Sequence, residues 1–357
     1  SIVGSPALID LDFDGDSEIV FTTYAGNSGK VYAIHHNGDD VEGFPVNLNE
    51  KMLAGAAVGD LENDGNPDIV VVTWDDNVYA IDNSGIIKDG FPFTSTNRFN
   101  SPPTLVDIDA DGDLEIIVGN DSGLLHVLHH DGAEMASFDT GDDIRGGISV
   151  ADMDDDGSYE LLFTGYDDMI HVWNPILNEE LEGWPYDMES NSLTEPVTAD
   201  LDNDGDLEII GARKNGMVYI LHHDATPFNS FPTSVGGNIE SSPAIGDLDG
   251  DGDFEVIFGT TLGLKVFDIK SNAGQRESWK LHRGNNNRSG SIAMTLVEVS
   301  NNDDILPDEF FVSANYPNPF NPKTQIDIHL SYRDNLTVTI FDATGRVINT
   351  LINKKLN

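Results

Sequence analysis

The chain has 357 residues, 63 acidic and 18 basic, for a formal net charge of −45. So acidic a chain excludes nucleic acid and anionic membrane surfaces as partners, because both require basic patches. It has no cysteine to form a disulfide and no apolar run long enough to cross a membrane as a helix. Apolar residues still make up 39%, in short β-branched runs such as "EIIVG" and "EVIFG", enough to bury a core rather than stay disordered. No charged-then-apolar leader opens the chain, so either a signal peptide has been removed or Ser1 begins a fragment.

From the N-terminus, one unit recurs. An acidic stretch starts it: "DLDFDGDSE" at Asp10, "DLENDGNPD" at Asp60, "DIDADGDLE" at Asp107, "DMDDDGSYE" at Asp152, "DLDNDGDLE" at Asp200 and "DLDGDGDFE" at Asp247. The spacings are 50, 47, 45, 48 and 47 residues, the period of a repeat architecture. After each acidic stretch comes an apolar run such as "EIVFTT", then a turn such as "NSG". A second run such as "KVYAIHHNG" follows, and then an aromatic: Phe44, Phe91, Phe138, Trp184, Phe231 and Trp279, 46 to 48 residues apart. The runs are short, rich in Val, Ile, Phe and Tyr, and punctuated by Gly, Asn and Asp, which marks strands. Four strands per 47 residues is the content of one propeller blade, so residues 1–291 are expected to form an all-β propeller of six visible four-stranded blades.

Each acidic stretch puts carboxylates on alternate positions. Such crowding is tolerable if a cation sits among them. Calcium takes six to eight hard oxygen ligands, and a loop with side-chain oxygens at positions 1, 3, 5 and 9 and a carbonyl at position 7 can wrap one. Position 6 must turn sharply, with positive φ, which suits Gly15, Gly65, Gly112, Gly157, Gly205 and Gly252. The loop is not an EF-hand, which closes with a Glu at position 12 between two helices. A purely solvated acidic hairpin explains one copy more easily than six in register, and magnesium demands a stricter octahedron.

"DxDxDGxxE" between strands at this period resembles the FG-GAP/VCBS repeats of integrin α-subunit propellers and of many bacterial secreted proteins. The resemblance implies calcium in the loop between a blade's first and second strands, up to six ions in all. Carried over by position, the first loop would use Asp10, Asp12, Asp14, Asp16 and Glu18, and the second Asp60, Glu62, Asp64, Asn66 and Asp68. The third would use Asp107, Asp109, Asp111, Asp113 and Glu115, and the fourth Asp152, Asp154, Asp156, Ser158 and Glu160. The fifth would use Asp200, Asp202, Asp204, Asp206 and Glu208, and the sixth Asp247, Asp249, Asp251, Asp253 and Glu255. The second loop, with Glu62 at position 3, departs most and is expected to be the weakest site. Integrin-type propellers usually have seven blades, so either six close the ring or a seventh lies upstream of Ser1.

Past residue 291 the composition changes. Residues 292–308 read as a linker, and from Glu309 five basic residues face four acidic ones, against 13 and 55 in residues 1–291. "NYPNPFNPKTQIDIHL" is a proline-rich entry followed by an alternating strand, and "LTVTIFDATGRVINTLI" reads as a hairpin around "DATGR". "YPNPFNP" followed by "IFDATGRVI" closely resembles the start of the C-terminal sorting domain of type IX secretion cargo in Bacteroidetes. Residues 309–357 are then the N-terminal part of that small β-sandwich, and the type IX machinery is a partner.

No serine elbow, "HExxH" or phosphate loop is present, so the sequence carries no catalytic motif. The histidine pairs His35–His36, His129–His130 and His222–His223 share one place in the repeat and read as structural. The resemblances together imply a calcium-stabilised binding or adhesion module, secreted or held on the outer-membrane surface of a Gram-negative bacterium. The alternative is the propeller of a secreted polysaccharide lyase, or an accessory part of a larger exported hydrolase. With the metal loops at one end of the blades, the opposite face would gather Tyr24, Trp74, Arg98, Arg145, Tyr166 and Arg213. Aromatics and arginines are frequent contact anchors, so that face is expected to bind an extracellular glycan or protein.

Overall fold

A computed structural model describes residues 1–292 apart from 25, 27, 275 and 277, and beyond them the backbone of 311–312, 328–329, 335–341 and 347–355. The described residues are strands, turns and bends with no helix. The chain divides into two compact units, Ser1–Met294 and Thr295–Asn357. In the second, Asn335–Phe341 pairs antiparallel with Val347–Lys355, the hairpin expected around "DATGR". Phe311–Val312 pairs with Ile328–His329; the rest of the proline-rich entry lies outside the described residues.

The first unit is a β-propeller-like succession of antiparallel sheets. The first sheet runs Ile2–Ile9, Glu18–Thr23, Lys30–Ile34 and Val46–Asn47 in chain order. The second repeats this with Ala57–Gly59, Asp68–Val72, Asn77–Ile81 and Phe93–Thr94. The third, fourth and fifth sheets follow the same order, with second strands Glu115–Gly119, Glu160–Thr164 and Glu208–Arg213.

The second strands read as unbroken apolar runs because both of their faces are covered. Successive side chains of a strand point to opposite faces. In the second sheet Ile69 and Val71 pack toward the first sheet, against Val20, Val31 and Ala33. Val70 and Val72 pack toward the third, against Leu105, Ile116 and Val118. The same division sends Leu162 and Leu161 to different clusters in the fourth sheet. The second to fifth sheets therefore each serve as one wall of two cores, which is why no single four-stranded unit would be stable alone.

The sixth sheet departs from the expected plan. It has three strands among the described residues, Ala244–Gly246, Asp253–Thr260 and Gly263–Asn272. Leu262, Leu264 and Val266 at its edge are 75%, 75% and 51% exposed. Trp279, expected as the aromatic of a sixth complete unit, instead starts a segment on which the first strands converge. The carbonyls of Trp279, Lys280, Asn287, Ser289 and Gly290 accept from the amides of Thr198, Ile245, Leu8, Val58 and Leu105, at 2.8–3.0 Å. Five sheets thus satisfy a first-strand N–H on one segment. Ser291–Ile292 then pairs parallel with Leu105–Val106. The aromatic spacing alone does not separate a fourth strand from this central segment.

Buried charge pins the segment. The Glu195 side chain, 1% exposed, accepts from Trp279 Nε1 at 2.6 Å and from the Arg283 amide, and lies 2.5 Å from His282 Nδ1. Arg283 is itself buried, with Nη2 donating to the Ala56 carbonyl and Nη1 to that of Pro103. Burial pulls its guanidinium down to about 10, against the attraction of Glu195, so it stays charged at neutral pH.

A second buried ionic group sits in the fourth sheet. His171 lies 2.6 Å from Glu180 and 2.7 Å from Asp167, and stacks on Phe163. Burial disfavours its cation, but the two carboxylates outweigh this and push it up to about 9. A folded value above the unfolded 6.5 stabilises the fold fully below that pH, and the gain is lost as pH rises through about 9. The shift corresponds to about 3 kcal/mol. Urea unfolding should therefore show a fall in stability between pH 6 and pH 9.5 that shrinks in His171→Gln; an equal fall in both proteins would remove this account.

Candidate metal centres

Each acidic stretch lies where the resemblance implied, between the first and second strands of its sheet. Three hydrogen bonds recur in all six. The position-6 glycine amide donates to the position-1 carboxylate, from Gly15 to Asp10 through Gly252 to Asp247, at 2.7–3.3 Å. The position-7 amide donates to the position-5 carboxylate, as Asp16 does to Asp14 and Ser158 to Asp156. The position-2 amide donates to the position-9 carboxylate, from Leu11 to Glu18 through Leu248 to Glu255, at 2.6–3.2 Å.

These bonds curl the backbone so that the side chains at positions 1, 3, 5 and 9 converge. All six position-6 glycines have φ between 89° and 100°. Position 4 is also left-handed, in Phe13, Asn63, Ala110, Asp155, Asn203 and Gly250. Four of these six, Asn63, Asp155, Asn203 and Gly250, are residue types that tolerate the left-handed region, so the sequence held a partial signal for that second turn, which Phe13 and Ala110 obscure.

Position 9 opens the second strand and is buried, as Glu18, Glu115, Glu160 and Glu208 show at 0% exposure. Burial, with the neighbouring aspartates adding to it, pushes Glu115 and Glu160 up to about 7 and Glu208 to about 8. Asp107, Asp152 and Asp202 are also raised, again chiefly by burial. Without a cation, these loops resist full ionisation.

The oxygens fit a hard cation. Carboxylate atoms of Asp10, Asp12 and Asp14 lie within 4.8 Å of one another, as do those of Asp107, Asp109 and Asp111 and those of Asp152, Asp154 and Glu160. Oδ1 of Asp10, Asp152 and Asp202 and Oε1 of Glu255, at positions 1, 3 and 9, are buried without a hydrogen-bond partner. Buried polar atoms are normally satisfied, so unpaired carboxylate oxygens among these clusters suit a bound divalent ion.

The histidine pairs belong to these loops, which their spacing alone did not show. His35, His129 and His222 stand 3.0–3.3 Å from the position-9 glutamates. His36, His130 and His223 stand 3.1–3.3 Å from the position-7 aspartates. In the fourth sheet Asn174 takes the first role, donating to Glu160 at 2.9 Å. In the second, Lys88 meets Glu62 and Asp68.

At the other end of the second strands, five of the six residues expected on the opposite face form a ladder. Lys51 Nζ lies 5.2 Å from the Tyr24 ring centre and 3.2 Å from that of Trp74. Arg98 stacks on the same indole at 4.5 Å and bonds Asp121 at 2.6 Å. Arg145 takes the other side of Asp121 at 2.9 Å and lies over Tyr166 at 5.1 Å. The bridging Lys51 and Asp121 were not among the expected residues. Arg213 stands apart, donating to Asn215 and the Met188 carbonyl.

The profile of the FG-GAP-like repeat matches residues 10–71, 60–118 and 200–258, and that of the secretion system C-terminal sorting domain matches 314–357. The chain carries FG-GAP-like repeats and a secretion sorting domain. The fourth acidic loop, 152–160, lies outside the matched FG-GAP-like ranges yet makes the same three hydrogen bonds. The sorting domain marks cargo of the type IX machinery, secreted from or displayed on a Gram-negative cell of the Bacteroidetes type. No curated protein matches the chain. Among solved structures, the Vibrio cholerae biofilm matrix protein Bap1 is similar at 20% identity and a TM-score of 0.52, over 68% of this chain and 41% of that one. Sqt1 from Saccharomyces cerevisiae is similar at 15% identity and a TM-score of 0.53, over 70% of this chain and 68% of that one. At such identities these likenesses show the fold alone.

Proposed function

We propose that this exported FG-GAP-like propeller is a calcium-stabilised binding or adhesion module, with residues 1–291 as propeller, 292–308 as linker and 309–357 as sorting domain. The observation that carries the binding reading is the ladder from Tyr24 to Tyr166. The chain has 18 basic residues in all, and Lys51, Arg98 and Arg145 stack on aromatic rings along this one run. Rings and guanidinium planes suit the faces and hydroxyls of an extracellular glycan, or a protein surface.

Asp121, with its side chain 3% exposed, is held by both arginines and by Asn100, which keep its carboxyl below the usual range against the effect of burial. Arg145→Ala therefore removes a structural partner as well as a contact, and Trp74→Ala is the cleaner probe. On a glycan array, wild-type chain should bind a defined set of extracellular polysaccharides, and Trp74→Ala should weaken that binding at least tenfold while remaining folded. Unchanged binding in Trp74→Ala would move the ligand elsewhere. Shortening of the polysaccharide on incubation would favour the lyase or hydrolase alternative.

A further inference from the structure

We propose that the second acidic loop takes no metal ion, because the ammonium group of Lys88 occupies the cation's place. Nζ lies 2.9 Å from both carboxylate oxygens of Asp68, at position 9, and also bonds Oε2 of Glu62, at position 3. The pairing is enclosed: the lysine side chain is 14% exposed and that of Asp68 is 2%. An ammonium at hydrogen-bond distance from two of the ligand carboxylates excludes a divalent ion from the same oxygens, by occupancy and by repulsion between like charges.

The lysine stands where other sheets have an apolar residue. The Lys88 amide donates to the Ala80 carbonyl. Val41, Leu181 and Phe228 make the equivalent bonds to Ala33, Val172 and Ile220. Two further changes found in no other loop accompany it. Position 9 is Asp68 where the other loops have glutamate, and the shorter side chain leaves room for an ammonium. Position 3 is Glu62 where the others have aspartate, and the longer side chain reaches the amine. Asp82 stands where the first, third, fourth and fifth sheets have histidine or asparagine and the sixth has Asp268, and its Oδ1 accepts from Ser84 and Ile86.

As in the third, fifth and sixth loops, both carboxylate oxygens of the position-1 residue accept backbone amides, here Asp60 from Asp64 at 3.0 Å and Gly65 at 2.7 Å. Among the described residues, none of this loop's carboxylate oxygens is buried and unpartnered, as in the third loop and unlike the first, fourth, fifth and sixth. Three departures from the repeat, Lys88, Asp68 and Glu62, thus concentrate on one site, and they suit an ammonium, which offers three donors to acceptor-only carboxylates.

The inference rests on the calcium reading of the other loops only for its contrast; the ion pair stands by itself. The test measures bound calcium per chain by equilibrium dialysis and elemental analysis, for wild type, Lys88→Leu and Lys88→Arg. Leucine is what Leu181 supplies at the equivalent place. Lys88→Leu should bind one calcium ion more per chain than wild type, and Lys88→Arg should match wild type. In EDTA, Lys88→Leu should melt below wild type, and calcium should restore it. Equal calcium content in wild type and Lys88→Leu would overturn the proposal. If no variant binds calcium, the calcium reading fails separately. The lysine's role is then decided in EDTA by a cycle with Asp68→Asn: melting shifts that simply add would overturn it, and a non-additive cycle would uphold it.

Discussion

Chelation should lower the melting temperature of the purified chain by about 10 °C or more, and millimolar calcium should restore it. The size follows from linkage. Extracellular calcium modules bind with dissociation constants of roughly 10⁻⁴–10⁻³ M. At tenfold excess, each independent site adds about 1.4 kcal/mol. Five loops without a lysine would add about 7 kcal/mol, comparable with the whole stability of many domains, and for a domain of this size each kcal/mol moves the melting temperature by about 2 °C. The physical cause is repulsion among convergent carboxylates, several of them already pushed toward neutrality by burial. Asp204→Ala should cost more than Ser158→Ala, because position 7 offers only its carbonyl. A melting curve unmoved by EDTA, with no calcium in the protein by elemental analysis, would falsify the metal reading.

The second large effect is expected at the centre of the sheets. Glu195→Ala should cost about 3–5 kcal/mol in saturating calcium, because it leaves buried donors without their acceptor. Those donors are the Trp279 indole and the Arg283 amide, with His282 alongside. Glu195→Gln keeps one acceptor oxygen for the indole and should cost less than half as much. Urea unfolding followed by tryptophan fluorescence measures both. A loss below 1 kcal/mol for the alanine variant would mean that the central segment is not what holds the sheets together.

What the sequence disclosed was what it repeats. The period, the glycine at position 6 and the apolar residue after position 9 located the acidic loops between strands, because all of these are contacts within about ten residues. The Lys88 contact joins residues 20 and 26 apart, and in a list of apolar positions it reads as a local lapse. The bridging of two arginines by Asp121 links three neighbouring segments and leaves no periodic trace. Trp279 misled because it kept the repeat's aromatic spacing while taking a different path. Its indole bonds a residue 84 positions away, a partnership that no local pattern encodes.

That central segment also sets an order of events. It comes at the end of the first unit's sequence, yet it accepts amides from the first strands of five sheets, and His282 bonds Ser5 across 277 residues. Sheets can pair and pack in pairs as they emerge, but their inward amides stay unpartnered until residues 279–292 arrive. Closing loops of such length slows folding. The unit therefore completes only when almost its whole length is available, with the sorting domain directly behind it. A chain cut short before Trp279 would present exposed strands and open cores, and would be a substrate for proteolysis rather than a smaller working propeller.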